Sequence, residues 1–369
     1  MGFKYIGRLL GWILLAVNML LTGGMLLCAY SPYINPATHP VWACTGLAFP
    51  IFLLLNLLFL FFWLIIYKRY ALLSFLGMLA CASQIRTYIP INLRTDLKEI
   101  PEGAIKFLSY NVMAYHHDMK HTEENPNPVV EYLKKCDADI ICLQEAGLYG
   151  QKHQKYLDIE TVDRTLSAYP YKSHIKRRNN AWDCYSHYPI LSVREIEYES
   201  QGNGSVMYEI KVDEDTLLVI NNHLESNRLT SNDKAVYKEM IIDPEKEKVK
   251  SGSKQLINKI ASAGAIRCTQ ANTVAKIIAE TPHEYIIVCG DFNDSPISYT
   301  HRVLSERLKD TFTESGMGMG ISYHQNGFYF RIDHILASDN FQSYNCTVDN
   351  SIDASDHYPI WCYLSKRKE

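Results

Sequence analysis

Apolar positions along the chain follow three regimes. From Leu9 to Ser31, and again from Val41 to Tyr67, the sequence is uncharged and mostly apolar. Each run exceeds the ~20 residues that a helix needs to cross a bilayer. A third run, from Ala71 to Ile85, is shorter and contains Ser74, Ser83 and Gln84. Beyond Ala104 the pattern changes to apolar runs of strand length between stretches of helical spacing. Strands are predicted from Ala104 to Met113, Asp139 to Leu143, Ala181 to Ser186, Ile286 to Cys289, Phe328 to Ser338 and Trp361 to Leu364. A hairpin is predicted from Tyr208 to Val212 and Thr216 to Asn221, turning at Asp213-Glu214-Asp215. Helices are predicted from Pro128 to Lys135, from Gln255 to Ala279 and around Arg302 to Leu308. Strands alternating with helices and joined by hairpins imply a mixed α/β layered domain.

The pattern divides the chain into a membrane segment over 1–85 with two to three transmembrane helices, a linker over 86–103 and one large domain over 104–369. The first run is too long for a cleaved leader and a second follows it, so both are read as retained helices. The basic residues of the first 85 positions are Lys4, Arg8, Lys68 and Arg69, and no Asp or Glu occurs there. The connection from Pro32 to Pro40 has no Lys or Arg, and such residues collect on the cytoplasmic side. Three spans place the large domain outside the cytoplasm, and two place it inside. Three are favoured, because the run after Lys68-Arg69 has no other obvious burial. The expectation is an integral protein of the plasma (inner) membrane with its large domain extracytoplasmic.

The other 33 of the 37 basic residues and all 40 acidic residues lie after position 85, a formal charge of −7. That is a poor footprint for gripping long duplex nucleic acid. Ten cysteines form no CxxC pair, which removes the common zinc-module and redox readings. Those inside apolar runs, such as Cys142, Cys289 and Cys362, read as small buried hydrophobes. Seven lie in the large domain, and an odd number argues mildly against an oxidising compartment.

Candidate chemistry gathers where apolar strands end or are interrupted. Asn111, Glu145, His223, Asp291, Asn293, Asp333, Asp356 and His357 all occupy such positions. Taken singly, each has a bland reading: a turn-forming Asn, a solvated acid after a strand, a paired charge in mid-strand. His117 and His121 would share a helical face as metal ligands can, but without a third ligand they read as a solvated loop. Lys176, Arg177 and Arg178 form the densest basic cluster of the domain.

The order and wording of these positions resemble the endonuclease/exonuclease/phosphatase superfamily, the deoxyribonuclease I-like fold, in a membrane-anchored bacterial form. The matching stretches are SYNV at Ser109 to Val112, LQE at Leu143 to Glu145, NHL at Asn222 to Leu224, GDFN at Gly290 to Asn293, RIDHIL at Arg331 to Leu336 and SDHYP at Ser355 to Pro359. The resemblance implies a four-layered α/β sandwich, two face-to-face β-sheets flanked by helices, and a metal-dependent hydrolase of phosphate esters. It implies Glu145, Asn111 and Asp356 around Mg²⁺ or Mn²⁺. It also implies His357, His223, Asp333, Asp291 and Asn293 in catalysis, with His357 assisted by Asp333. Arg331, Asn293 and Arg178 are the candidates for holding substrate. Which histidine is the base stays open, as does a lipid headgroup against nucleic acid as substrate. A deoxyribonuclease-type enzyme and a non-catalytic membrane-tethered binding module are the alternatives.

Overall fold

A computed structural model describes every residue except Met1, 117–120, 123, 149–156, 178–179, 201, 231, 234, 236–245, 326 and 368–369. The chain begins with two long apolar helices, Gly2–Tyr30 and Phe49–Ile66. A third, broken helix runs back beside them as Ala71–Ala80 and Ala82–Tyr88. Ring contacts fix its direction. Tyr70 sits against Trp12 and Trp63 at one end of the bundle, and Tyr88 sits against Phe49 at the other. The third apolar run therefore returns the chain to the end where the first helix finished, three residues beyond its expected limit at Ile85.

Fourteen strands follow among the described residues: β1 Ile105–Asn111, β2 Ile140–Gln144, β3 Tyr171–Arg177, β4 Asn180–Ser186, β5 Ile190–Ile196, β6 Gly204–Val212, β7 Asp215–His223, β8 Tyr285–Asp291, β9 Lys309–Asp310, β10 Tyr323–Gln325, β11 Phe328–Phe330, β12 Asp333–Ala337, β13 Phe341–Val348 and β14 Ile360–Lys366. They form two six-stranded mixed sheets, ordered β13-β14-β1-β2-β4-β3 and β5-β6-β7-β8-β12-β9, plus the hairpin β10-β11. Side-chain alternation turns each central strand into two buried faces. Phe107, Cys142, Ile287, Cys289 and Ile335 meet between the sheets. On one outer face Leu108 and Ile141 pack under Val129, Val130 and Leu133 of the helix Pro128–Cys136. On the other, Ile286 and Val288 pack under Ala271, Val274 and Ile278 of the helix Lys246–Glu280. The result is the expected four-layered sandwich.

Two expectations differ in detail. The single strand predicted from Phe328 to Ser338 breaks at Arg331-Ile332 into β11 and β12, which belong to different sheets. The expected linker is tied to the domain at Asn92 and Thr95. Asn92 Nδ2 donates to the carbonyls of Thr313 and Gly316, and Thr95 exchanges two 2.8 Å hydrogen bonds with the Asn345 side chain.

Candidate active site

Strand register assembles the candidate site. β7 and β8 run parallel with His223 opposite Asp291, and β12 runs antiparallel to β8 with Asp333 opposite Asp291. One row across one sheet edge thus carries His223, Asp291 and Asp333. The facing sheet adds Asn111 at the end of β1, Glu145 just after β2, and Asp356-His357 just before β14. Close approach is enforced at Gly290 (φ 118°), where a Cβ would lie 2.0 Å from the Asn222 carbonyl oxygen. Glu145 and Asn293 are also held at positive φ, 52° each, a conformation that non-glycine residues adopt mainly where surrounding structure imposes it.

Asp291 Oδ2 is the centre of the cluster. It accepts from Asn111 Nδ2 at 3.2 Å and lies 3.7 Å from both His223 Nε2 and His357 Nε2. Asn111 Nδ2 also reaches Glu145 Oε1 at 3.2 Å, and His223 Nε2 lies 3.6 Å from the same oxygen. His357 Nδ1 contacts Asp333 Oδ2 at 2.8 Å. Asp291, Asp333, His223 and His357 are buried, whereas the Glu145 side chain keeps 41% of its surface open to the cleft.

The two histidines are held in different states. Asn180 Oδ1 accepts from the Ala181 amide, which fixes Asn180 Nδ2 as the group facing His223 Nδ1 at 2.7 Å. His223 Nδ1 must then accept, so His223 is neutral and its Nε2–H points toward Glu145 and Asp291. Burial lowers its proton affinity and the neighbouring carboxylates do not overcome this. Burial acts on His357 in the same sense, but Asp333 and Asp291 outweigh it and raise its pKa well above the ordinary 6.5. Burial also raises Glu145, and it pushes Asp291 up to about 6 against the opposing pull of His357.

Asn293 lines the cleft, but its Nδ2 donates to the Leu224 carbonyl and its amide N–H to Asp291 Oδ1. Asp356 also lines the cleft. Arg331 is not brought to the cluster. Its buried guanidinium lies over the Phe312 ring and donates to the carbonyls of Met319 and Thr87, because the strand interruption before β12 turns it away from the sheet edge. Arg178 and His117 lie outside the described residues. The cations that do line the cleft are Arg228 and Arg267. They pair with Glu225 and Asp294, respectively. Sequence reasoning missed Asn180 and Arg267, and it read Ser355 only as part of the SDHYP stretch. Ser355 Oγ donates to the Asn111 carbonyl and accepts from the His357 amide, so it joins the two ends of the cluster.

Residues 108–357 match the family described as Endonuclease/Exonuclease/phosphatase family. The chain belongs to that family. Its members cut phosphate esters or nucleic acids, and the chain is a hydrolase of that class. Residues 11–88 match a family described only as a domain of unknown function. No curated protein matches the chain. Among solved structures, the human Nocturnin catalytic domain with bound sulfate aligns over 75% of this chain and 97% of its own, at 14% identity and a TM-score of 0.50. A truncated *Caenorhabditis elegans* TDP2 covers 71% and 97% at 16% identity and 0.46, and a *Bacteroides vulgatus* endonuclease/exonuclease/phosphatase covers 72% and 99% at 13% and 0.49. At these identities the likeness concerns the fold.

Proposed function

We propose that this family member is a divalent-metal-dependent phosphodiesterase, anchored by its first 85 residues, that works at the cluster centred on Asp291. The observation that carries the reading is the Asp333–His357 contact beside Asp291 Oδ2, a base with its orienting carboxylate aimed at a shared acid. The donor set fits a hard cation. Among the described residues, the ion pairs made by Glu145, Asp291 and Asp333 are all to histidine, and buried Asp333 Oδ1 has no hydrogen-bond partner. Donor atoms of Asp291, Asp333 and His357 lie within 4.8 Å of one another. Because Asp333 and His357 are engaged with each other, Glu145 is the first ligand, with Asn111 and Asp356 beside it. A bound Mg²⁺ or Mn²⁺ supplies charge neutralisation for the phosphate and the leaving oxygen.

The chain's own residues do the rest. Asp333 accepts from His357 Nδ1–H and leaves Nε2 to take the proton of the attacking water. His223 donates its Nε2–H to a phosphate oxygen, and Asn180 keeps it in that tautomer. Asp291 positions both imidazoles, and the Asn293 backbone holds Asp291.

The antiparallel course of the three helices supports three crossings. Lys4, Arg8, Lys68 and Arg69 then share the cytoplasmic end, and the domain is extracytoplasmic. Protease added to intact spheroplasts should digest the domain, whereas full protection would place it inside. For catalysis, the full chain should hydrolyse bis(p-nitrophenyl) phosphate with Mg²⁺ or Mn²⁺, and His357→Ala should abolish turnover. Near wild-type turnover of that variant would remove the site assignment.

A further inference from the structure

We infer that the substrate is a membrane phospholipid, taken with its phosphodiester at the Asp291 cluster and its glycerol end against an apolar wall facing the bilayer. This rests on the phosphodiesterase reading above. The wall is built from three parts of the chain that come together only in the fold. Leu47 lines the same cleft as Glu145, His223 and His357, and it lies two residues before the apolar helix Phe49–Ile66. Phe328 and Phe330 of β11 and Ile260 of the long helix complete it. The cleft holds about 270 Å³, enough for a phosphodiester and its adjoining glycerol carbons, so acyl chains would remain outside.

The connection that carries Leu47 is clamped to the domain. Arg302 Nε donates to the Pro32 carbonyl, and a Cβ on Gly46 would lie 2.1 Å from the Ile297 carbonyl oxygen. Tyr33 and Trp42 on this connection are exposed, as the aromatic residues of a membrane interface are. Trp12 and Tyr67 are exposed at the opposite end of the bundle. From Trp12 to Tyr33 the helical rise spans roughly 30 Å, the thickness of a hydrocarbon core. These anchors put the mouth beside Leu47 at headgroup level.

A second apolar surface lies on the other side of β11 from the cleft. Ile91 pairs with Met317 just after the third helix leaves the bundle, and Ile91, Leu93, Met317 and Tyr329 are 80, 90, 67 and 58% exposed. Alternation along β11 points Tyr329 to this surface while Phe328 and Phe330 line the cleft. Exposed apolar groups gathered next to a membrane helix suit contact with lipid. A long nucleic-acid strand is disfavoured on a separate ground: among the described residues, the cleft cations Arg228 and Arg267 are each engaged with an acid.

In the reaction, water oxygen bonds to phosphorus and one P–O ester bond breaks, its electrons leaving on the alcohol oxygen. The proton lost by water passes to that oxygen, giving a phosphomonoester and an alcohol.

The test uses the full chain in nonionic detergent micelles with Mg²⁺. It is offered phosphatidylglycerol, the glycerophosphodiester left when that lipid is deacylated, a single-stranded oligonucleotide and bis(p-nitrophenyl) phosphate. The lipid should be turned over with a kcat/KM at least tenfold above its deacylated counterpart. Equal or faster turnover of the deacylated diester, or cleavage of the oligonucleotide without the lipid, would overturn the inference and leave the phosphodiesterase reading standing. No turnover of any substrate would remove both. Leu47→Gln and Phe330→Gln should each lower lipid turnover at least tenfold more than that of the deacylated diester. The doubly exposed pair L93S/M317S, which leaves the core untouched, should lower the same ratio at least threefold. An unchanged ratio in all three variants would also overturn it.

Discussion

The buried polar cluster of the helical bundle and the one at the rim of the sandwich are satisfied to different degrees. In the bundle, Asn18 Nδ2 donates to Ser74 Oγ at 3.0 Å, Trp63 Nε1 to Asn18 Oδ1 at 2.9 Å, and Thr22 Oγ1 to Asn56 Oδ1 at 2.7 Å. None of their polar atoms is left without a partner. At the rim, Asp333 Oδ1 has no partner, and Asp291 Oδ2 has three neighbours, none closer than 3.2 Å. A completed network holds elements in register. An incomplete one, rich in acid and poor in cation, is arranged for something that arrives later.

Breaking the rim cluster should cost activity and not fold. Asp291→Asn should lower kcat/KM by about 10³-fold or more, because the group that positions both imidazoles loses its charge. The raised pKa of Asp291 gives the sign for stability. A carboxyl whose folded pKa is lifted to about 6 binds its proton more tightly when folded, so metal-free protein loses stability as pH rises from about 4 through about 6. Asp291→Asn should therefore melt at or above the wild-type temperature in chelator at neutral pH. A large drop in Tm would make Asp291 a structural residue. Chelation of the wild type should abolish turnover, with Mg²⁺ or Mn²⁺ restoring it, and chelator-resistant activity would refute the metal.

A smaller effect separates Asp333 from Asp291. Asp333→Asn should lower the rate about 10²-fold, because His357 loses the acceptor that fixes its tautomer. Its pH profile is the sharper readout. His357 must be neutral to accept the water proton, and its pKa stands well above 6.5, so wild-type kcat/KM should rise with pH through a limb above 6.5. The substitution removes a carboxylate that raises this pKa, so the limb should move toward lower pH. A limb that stays in place would mean that His357 is not the titrating base.

The comparison also explains what could be read from the chain before it was folded. The rim acids were legible because each ends or interrupts an apolar run, and motif order supplied the rest. Register then brought His223, Asp291 and Asp333 into one row, as strand ends of neighbouring strands must when they are aligned. Arg331 was misplaced because the sequence carries an unbroken β pattern through it, and only the switch between β11 and β12 turns it inward. Asn180 gave no signal: it stands at the start of β4, and its role depends on a rotamer set by the Ala181 amide. The Leu47 wall was equally invisible, since periodicity places Leu47 in a membrane run and nothing local says that the loop folds onto the domain.

The smallest predicted effect lies in the bundle, where one side chain serves three helices. Asn18 bonds to Ser74 of the third helix and accepts from Trp63 of the second. In bilayers such interhelical hydrogen bonds are worth about 0.6 kcal/mol each, because the separated helices find other partners. Asn18→Ala should then destabilise the full chain in detergent by about 1 kcal/mol while leaving hydrolysis of bis(p-nitrophenyl) phosphate within about twofold of wild type. The cleft lies beyond the far end of the helix and shares no hydrogen bond with Asn18. Loss of hydrolysis on that soluble diester would show that the bundle sets the geometry of the rim. The two clusters would then have to be understood as one coupled system.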